Sequence, residues 1–286
     1  MILGLSLLAM GSFIAAMCLG KYPVSPTDSL KILFGRNDVS DAMAINVVTG
    51  LRLPRLLASL ACGAALALSG ATYQGVFQNP LVSPDFLGVS QGACVGAAIA
   101  ILAGRGSAVI QLFAFLGGLA AVLLTLLIPF LMRSNSNLML VLSGIIVGGV
   151  MSSLLGFLKY IADPETQLAA ITYWQMGSFS YITMDSLLKI LPLMILPAIV
   201  LFALAWRVDI VSLGETDAKI LGTNVGQIRT LSVICATFLT ASAVCLAGRL
   251  GWVGLVLPHF ARLLAGNSKR HLLPVFFLPW GVFVFL

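Results

Sequence analysis

The sequence predicts an all-α membrane protein, a bundle of helices that cross a lipid bilayer, and its bulk properties support this. Apolar residues occupy 59% of the 286 positions, and the mean hydropathy is +1.06. Charged residues occupy 9% of the positions, against roughly 25% in a typical soluble domain. The net charge of +6 comes from scattered basic residues with no aromatic platform between them. We therefore predict a lipid environment and no nucleic-acid partner.

Seven apolar runs are each long enough, at about 20 residues, to cross the roughly 30 Å hydrocarbon core of a bilayer as a helix. These runs are residues 2–19, 56–76, 86–103, 108–132, 138–158, 187–206 and 231–247. A run broken by glycine and proline follows at 251–264, and a last run begins at Leu272 and is still apolar at Leu286. The runs lack the alternation of an outer-membrane barrel. We predict one transmembrane helical domain over residues 1–286, with the first run retained as a helix.

The charges do not establish the orientation of this bundle. With the amino terminus in the cytoplasm, more lysines and arginines flank the outer ends of the spans than the inner ends, against the positive-inside tendency. The spans themselves are almost free of charge, whereas ion-coupled transporters need ionisable residues at membrane depth. This favours an energy source in another subunit, with an ion-coupled secondary transporter as the alternative.

Enzymatic motifs are nearly absent, and we predict no catalytic residue and no metal site. The segment "GVSQG" around Ser90 matches a serine-nucleophile pattern, with His259 as its only plausible base, but the strand–turn–helix context of that motif is missing. An intramembrane protease built on this pair is a third reading. The sequence contains no H-E-x-x-H, C-x-x-C or Walker A pattern, so the chain has no ATP site of its own.

A polar connection, "RVDIVSLGETDAKILGTNVGQIRT", separates the sixth and seventh runs at residues 207–230. Its length exceeds what a simple connection between two helices needs. Ser212 followed by Glu215 fits a capping box at the start of a short helix. We predict short amphipathic helices over 212–228 that form a docking surface for a soluble partner.

Four separated motifs, taken in order, resemble the permease subunits of ABC importers for iron-siderophores, haem and vitamin B12. They are "RLPRLLASLACGAALALSGATYQGVFQNPLVSPDFLGVSQGA" from position 52, "ITYWQMGSF" from 171, "SLGETDAKILG" from 212 and "GRLGWVGLVLPHFARLLAG" from 248. The resemblance extends over essentially the whole chain. It implies the fold of type II ABC importers, a bundle of about ten helices in the cytoplasmic membrane of a prokaryote. Since such chains continue further, the resemblance also predicts that this one is truncated in its ninth span.

The resemblance also implies partners and functional residues. The partners are a second copy of the chain, an extracytoplasmic substrate-binding protein, and two ATPase subunits that hold ATP and Mg. Arg52 and Arg55 would be exposed charges that dock the binding protein, or else would reach lipid headgroups. The predicted cytoplasmic gate is Asn79, Pro80 and Leu81, with an ordinary proline turn as the alternative. The predicted ATPase-coupling residues are Ser212, Leu213, Gly214, Glu215, Ala218, Leu221 and Gly222.

Overall fold

The structure is a computed structural model that describes residues 2–35, 41–133 and 136–265, and these residues form helices and no strand. The α-helices are α1 Ile2–Cys18, α2 Pro26–Leu33, α3 Ala42–Asn46, α4 Leu53–Val76, α5 Val89–Leu102, α6 Ser107–Leu131, α7 Asn137–Ile161, α8 Gln167–Met176, α9 Met184–Ser212, α10 Glu215–Ile220, α11 Val225–Ala247 and α12 Val253–Ala265. A π-helical stretch, Val47–Arg52, joins α3 to α4 without a break, and a 3-10 turn, Pro84–Leu87, precedes α5.

Five of the described helical segments are long and apolar enough to cross a membrane. They are Ala42–Val76, Ser107–Leu131, Leu138–Ile161, Met184–Ser212 and Val225–Ala247. The predicted third run instead forms α5, a shorter apolar helix of 14 residues, because Pro84 and Gly88 delay its start. The prediction of an all-helical, multi-span bundle is confirmed. The last apolar run, from Leu272, and with it the predicted truncation, lies outside the described residues.

Helices α4 and α11 form the centre of the bundle. In their most apolar stretches 83% and 78% of the residues are buried, whereas the corresponding shares for α6, α7 and α9 are 33%, 33% and 28%. The Ser69 hydroxyl of α4 lies 2.7 Å from the Thr240 hydroxyl of α11, and the Tyr73 hydroxyl lies 2.8 Å from that of Thr237. Such hydrogen bonds join helices where lipid provides no hydrophobic drive for association.

Glycines allow backbones to approach closely at two further interfaces. A Cβ on Gly96 of α5 would lie 2.0 Å from the carbonyl oxygen of Phe113 in α6. A Cβ on Gly70 of α4 would lie 1.8 Å from the carbonyl oxygen of Gly254 in α12. No side chain fits at either distance, so these positions need glycine for packing. Gly96 is therefore required for the close approach of α5 to α6.

Contacts between distant residues define the two ends of the bundle. Arg55 Nη2 donates a hydrogen bond to the Ser180 carbonyl at 2.7 Å, which brings the start of α4 beside the α8–α9 connection. Gln78 Nε2 donates to the Val211 carbonyl at 2.8 Å, which brings the end of α4 beside the end of α9. We call the end of the bundle that contains Arg55 and Ser180 the arginine end, and the end that contains Gln78 and Val211 the loop end. The predicted docking residues lie at the arginine end, and the predicted gate and coupling residues lie at the loop end.

Candidate functional site

The predicted gate segment lies directly after α4, which ends at Val76. The chain is not helical from Phe77 to Ser83, as Pro80 predicts, because a proline offers no backbone N–H and disfavours a helical residue before it. Asn79 Oδ1 accepts a hydrogen bond from the Leu81 amide at 2.9 Å, which closes a local turn. The Leu81 side chain is 69% exposed. A turn that presents an exposed leucine at the loop end suits a gate, and that role stays a prediction.

Two hydrogen bonds connect the gate segment to α9. Besides the bond from Gln78 to Val211, the Ser212 hydroxyl lies 3.2 Å from the Gly75 carbonyl, to which it donates. Gln78 has a φ of +52°, a left-handed conformation that is uncommon outside glycine. The sequence analysis did not identify Gln78 as a functional candidate, because its hydrogen-bond partner lies 133 positions away and no local sequence pattern predicts the contact. The end of α4 and the end of α9 are thus linked just before the polar connection begins.

The polar connection forms a short helix, as predicted, but the predicted capping box is wrong. Ser212 is the last residue of α9, and its hydroxyl also donates to the Val208 carbonyl at 2.7 Å. The residue preceding α10 is Gly214, and no side-chain hydrogen bond caps that helix. Its φ of +132° lies in a region that side chains rarely adopt. The chain therefore turns at Gly214, which separates Ser212 from the helix that Glu215 begins.

The short helix α10 is held by one buried residue and presents apolar side chains outward. Ala218 is fully buried. Leu213, Ile220 and Leu221 are 66%, 78% and 59% exposed. Apolar side chains clustered in water beside a polar loop are typical of a protein–protein contact. Gly222, with a φ of +72°, ends the helix and allows the turn towards α11.

Glu215 lies in a charged cluster at this helix. Its carboxylate is 2.9 Å from the Lys219 ammonium and 3.7 Å from the Arg229 guanidinium. The hydrogen bond from Lys219, followed by the charges of Lys219 and Arg229, lowers the pKa of Glu215 below its usual value. A surface cavity of about 530 Å³ adjoins these three side chains and the glycines of the connection. Of the predicted coupling residues, Glu215 and Gly222 line this cavity, whereas Ala218 is buried beneath it.

The two predicted docking arginines have different environments. Arg52 is only 9% exposed, and its guanidinium donates to the carbonyls of Met17 and Tyr22, each at 2.5 Å. The prediction that both arginines are exposed charges is therefore wrong for Arg52, which fastens α1 and the chain after it to α4. Arg55 is partly exposed and, apart from its bond to Ser180, has a buried Nε without a hydrogen-bond partner among the described atoms.

The serine-nucleophile pair is not assembled. The Ser90 hydroxyl donates to the carboxylate of Asp85, and Ser90 is buried in the first turn of α5. His259 lies on α12 with an exposed side chain, and no hydrogen bond joins it to Ser90 in the described ranges. The Ser90 hydroxyl is therefore engaged by Asp85 in a local turn, and the predicted pairing of Ser90 with His259 is not formed in the described part of the chain.

The helical fold, the repeated membrane-crossing segments and the polar surface at one end define a polytopic integral membrane protein. The chain belongs to the FecCD transport family, whose family model matches residues 7–286. It is therefore a permease of the ABC importer class, a multi-pass protein of the cytoplasmic membrane, as the sequence motifs predicted.

Individual relatives agree with this assignment. The chain is 35% identical over 285 residues to the molybdate import system permease protein MolB of Haemophilus influenzae, covering 99% of this chain and 85% of that protein. It is 36% identical over 258 residues to an iron chelatin transport system permease protein of Helicobacter pylori, covering 90% of this chain and 78% of that protein. A solved structure, described as an inward-facing conformation of a metal-chelate type ABC transporter, aligns with a TM-score of 0.88 at 35% identity, covering 99% of this chain and 87% of that one.

Proposed function

We propose that this chain is the translocating subunit of a binding-protein-dependent importer and that it carries a metal-containing compound. The candidate substrates are an iron-siderophore, haem or cobalamin-type chelate, and a metal oxyanion such as the one named for the Haemophilus relative. The chain hydrolyses no ATP itself. Two partner ATPase subunits bind ATP and Mg at the loop end, and two copies of this chain enclose the translocation path.

The observation that carries this proposal is the outward-facing surface formed by α10 and the residues on either side of it. Leu213 and Leu221 expose apolar side chains to water, which costs free energy unless a partner covers them. Glu215, Lys219 and Arg229 add a charged rim around them. An apolar centre with a charged rim is the usual composition of a protein interface. The hydrogen bonds from Gln78 and Ser212 connect this surface to the gate segment, so a movement of the partner can reach the gate.

The test is assembly with the ATPase. The chain is co-expressed with a candidate ABC ATPase subunit from the same organism, and the complex is purified through a tag on the ATPase. We expect the wild-type chain to co-purify, and Leu213→Asp and Leu221→Asp to reduce its recovery at least tenfold, because each puts a charge into the apolar centre of the interface. Tyr181→Asp is the matched control, since Tyr181 is 88% exposed at the arginine end.

Two outcomes would overturn the proposal. One is a wild-type chain that never assembles with the ATPase. The other is uptake by membrane vesicles that depends on an ion gradient and proceeds without ATP, which would establish the ion-coupled alternative.

For the binding protein, we propose Arg55 as the docking residue. Arg55 lies partly exposed at the arginine end, opposite the ATPase surface, and a guanidinium steers an acidic partner through long-range attraction. The role of Arg52 is different, because its guanidinium already satisfies two backbone carbonyls inside the chain.

A further inference from the structure

A cavity with polar and apolar walls lies between α5, α7 and the turn that joins α11 to α12. Its volume is about 370 Å³. Gly148 and Ser152, which line it, lie one turn apart at the middle of α7, a helix long enough to cross the bilayer. The cavity opens on the side where Trp252 is 75% exposed. The residues after α11 that complete its wall lie towards the arginine end, because the Ala247 carbonyl accepts a hydrogen bond from the Ser178 amide at 2.7 Å. The cavity therefore extends from the level of the middle of α7 towards the arginine end.

A permanently charged side chain lines this cavity. Arg249 follows α11 by two residues and belongs to the cavity wall. It forms no ion pair within 4.0 Å and no hydrogen bond with any residue in the described ranges. Arg249 is partly buried. A partly buried charge without a partner is destabilising, which marks Arg249 as a candidate functional residue.

The other polar groups of the cavity do not neutralise Arg249. Asp85 is the carboxylate of the cavity wall, and it accepts a hydrogen bond from Ser90 on its own side of the cavity. The side-chain carbonyl of Gln91 is buried without a hydrogen-bond partner in the described part of the chain. An unpaired guanidinium and an unpaired amide thus line the same space. Both are recognition groups, because the amide both donates and accepts hydrogen bonds and the guanidinium donates several in a fixed plane.

We propose that this cavity selects an anionic substrate and that Arg249 is the residue that determines this specificity. A guanidinium matches two oxygens of a carboxylate or an oxyanion with parallel hydrogen bonds. In a partly enclosed cavity such a charged pair is stronger than at an open surface, so an anion gains more there than a neutral compound. This inference rests on the proposed transport function and narrows its substrate class to anions. Two sources share this chemistry, a small metal oxyanion and a metal chelate that carries carboxylates.

The experiment measures binding of three labelled probes to the full chain purified in lipid nanodiscs, without the ATPase. The probes are molybdate, ferric citrate and cyanocobalamin, which are an oxyanion, an anionic chelate and an electroneutral chelate. We expect saturable binding of one of the anions. Arg249→Gln should weaken anion binding about tenfold to a hundredfold, because it removes a charged hydrogen-bonding partner. Arg249→Lys keeps the charge, so its affinity for the anion should remain within about tenfold of wild type. Arg105→Gln, at an exposed arginine outside the helices, is the matched control and should bind as wild type does.

Asp85 provides the opposite arm of the test. Asp85→Asn should leave anion binding equal or stronger, because it removes a negative charge from the cavity. Two results with the wild-type chain would overturn the proposal: binding of cyanocobalamin alone, or binding of no anion. Two results with the variants would also overturn it. In one, monodisperse Arg249→Gln binds the anion normally; in the other, Asp85→Asn abolishes binding that Arg249→Gln preserves. Binding of molybdate would identify the substrate as a small metal oxyanion, and binding of ferric citrate would identify it as a metal chelate that carries carboxylates. Because the ATPase is absent, failure here is distinct from failure of the chain to assemble with the ATPase.

Discussion

The hydrogen bond from Gln78 to Val211 provides the sharpest test of how the loop end could work. The variant is Gln78→Asn, which keeps the amide and suits the left-handed backbone, because asparagine tolerates a positive φ. Its side chain is shorter by one carbon–carbon bond, about 1.5 Å. The donor distance of 2.8 Å would then exceed the limit for a hydrogen bond. The variant therefore removes the link and little else.

The expected size of the effect follows from the chemistry of the link. A neutral hydrogen bond contributes about 1 kcal/mol, which corresponds to roughly a fivefold change in an equilibrium. If this link transmits movement of α9 to the gate, Gln78→Asn should lower the amount of substrate transported per ATP roughly fivefold. Assembly with the ATPase should be unchanged, because Gln78 lies outside α10.

The assay is transport and ATP hydrolysis measured together in proteoliposomes that contain the whole importer. Gln227→Ala is the matched control, because it removes an exposed glutamine at the same end without breaking a bond between α4 and α9. The reasoning is refuted if Gln78→Asn couples transport to hydrolysis as wild type does, or if Gln227→Ala lowers the ratio equally.

Three further predictions test other parts of the structure. Arg55→Glu should weaken docking of the binding protein, more strongly at low salt because charge attraction is then less screened, as measured by surface plasmon resonance. Gly70→Ala should lower stability by about 1–3 kcal/mol, seen as a lower Tm, because its Cβ would meet the Gly254 carbonyl, whereas Gly149→Ala meets open space. The depressed pKa of Glu215 stabilises α10 above the usual carboxyl pKa of 4.5, and this stabilisation is lost as the pH falls through the lowered pKa. The protection of α10 amides from hydrogen exchange, corrected for the intrinsic pH dependence of exchange, should therefore decrease in acid.

Each of these expectations has a contrary result. Docking that is indifferent to Arg55→Glu at every salt concentration would remove this residue from the interface. A Gly70→Ala variant as stable as Gly149→Ala would contradict the close helix contact. A loss of α10 protection in acid that is equal in wild type and Glu215→Gln would mean that another group titrates there.

The positions of most helices were predictable because they follow from a local requirement. A segment that crosses lipid must satisfy its own backbone hydrogen bonds, and only a long apolar helix does so. The break after α4 was predictable for a similar reason, since Pro80 prevents helix continuation whatever surrounds it. The close approach of α5 to α6 also follows locally from glycines repeated at helical spacing, including Gly96. These features depend on the residue and its immediate neighbours.

The side-chain environments at the candidate sites were decided by tertiary contacts. Arg52 reads as an exposed charge in the sequence, but the folded chain places the carbonyls of Met17 and Tyr22 around its guanidinium. Gln78 and Val211 are 133 positions apart, and only the packing of α4 against α9 makes them partners. Arg249 looks like a charge at the end of a span, but folding places it on the wall of a cavity that α5 and α7 also line. The sequence determined which segments enter the membrane, because that depends on local polarity. The fold decided which polar groups meet, because that depends on backbone positions brought together from across the chain.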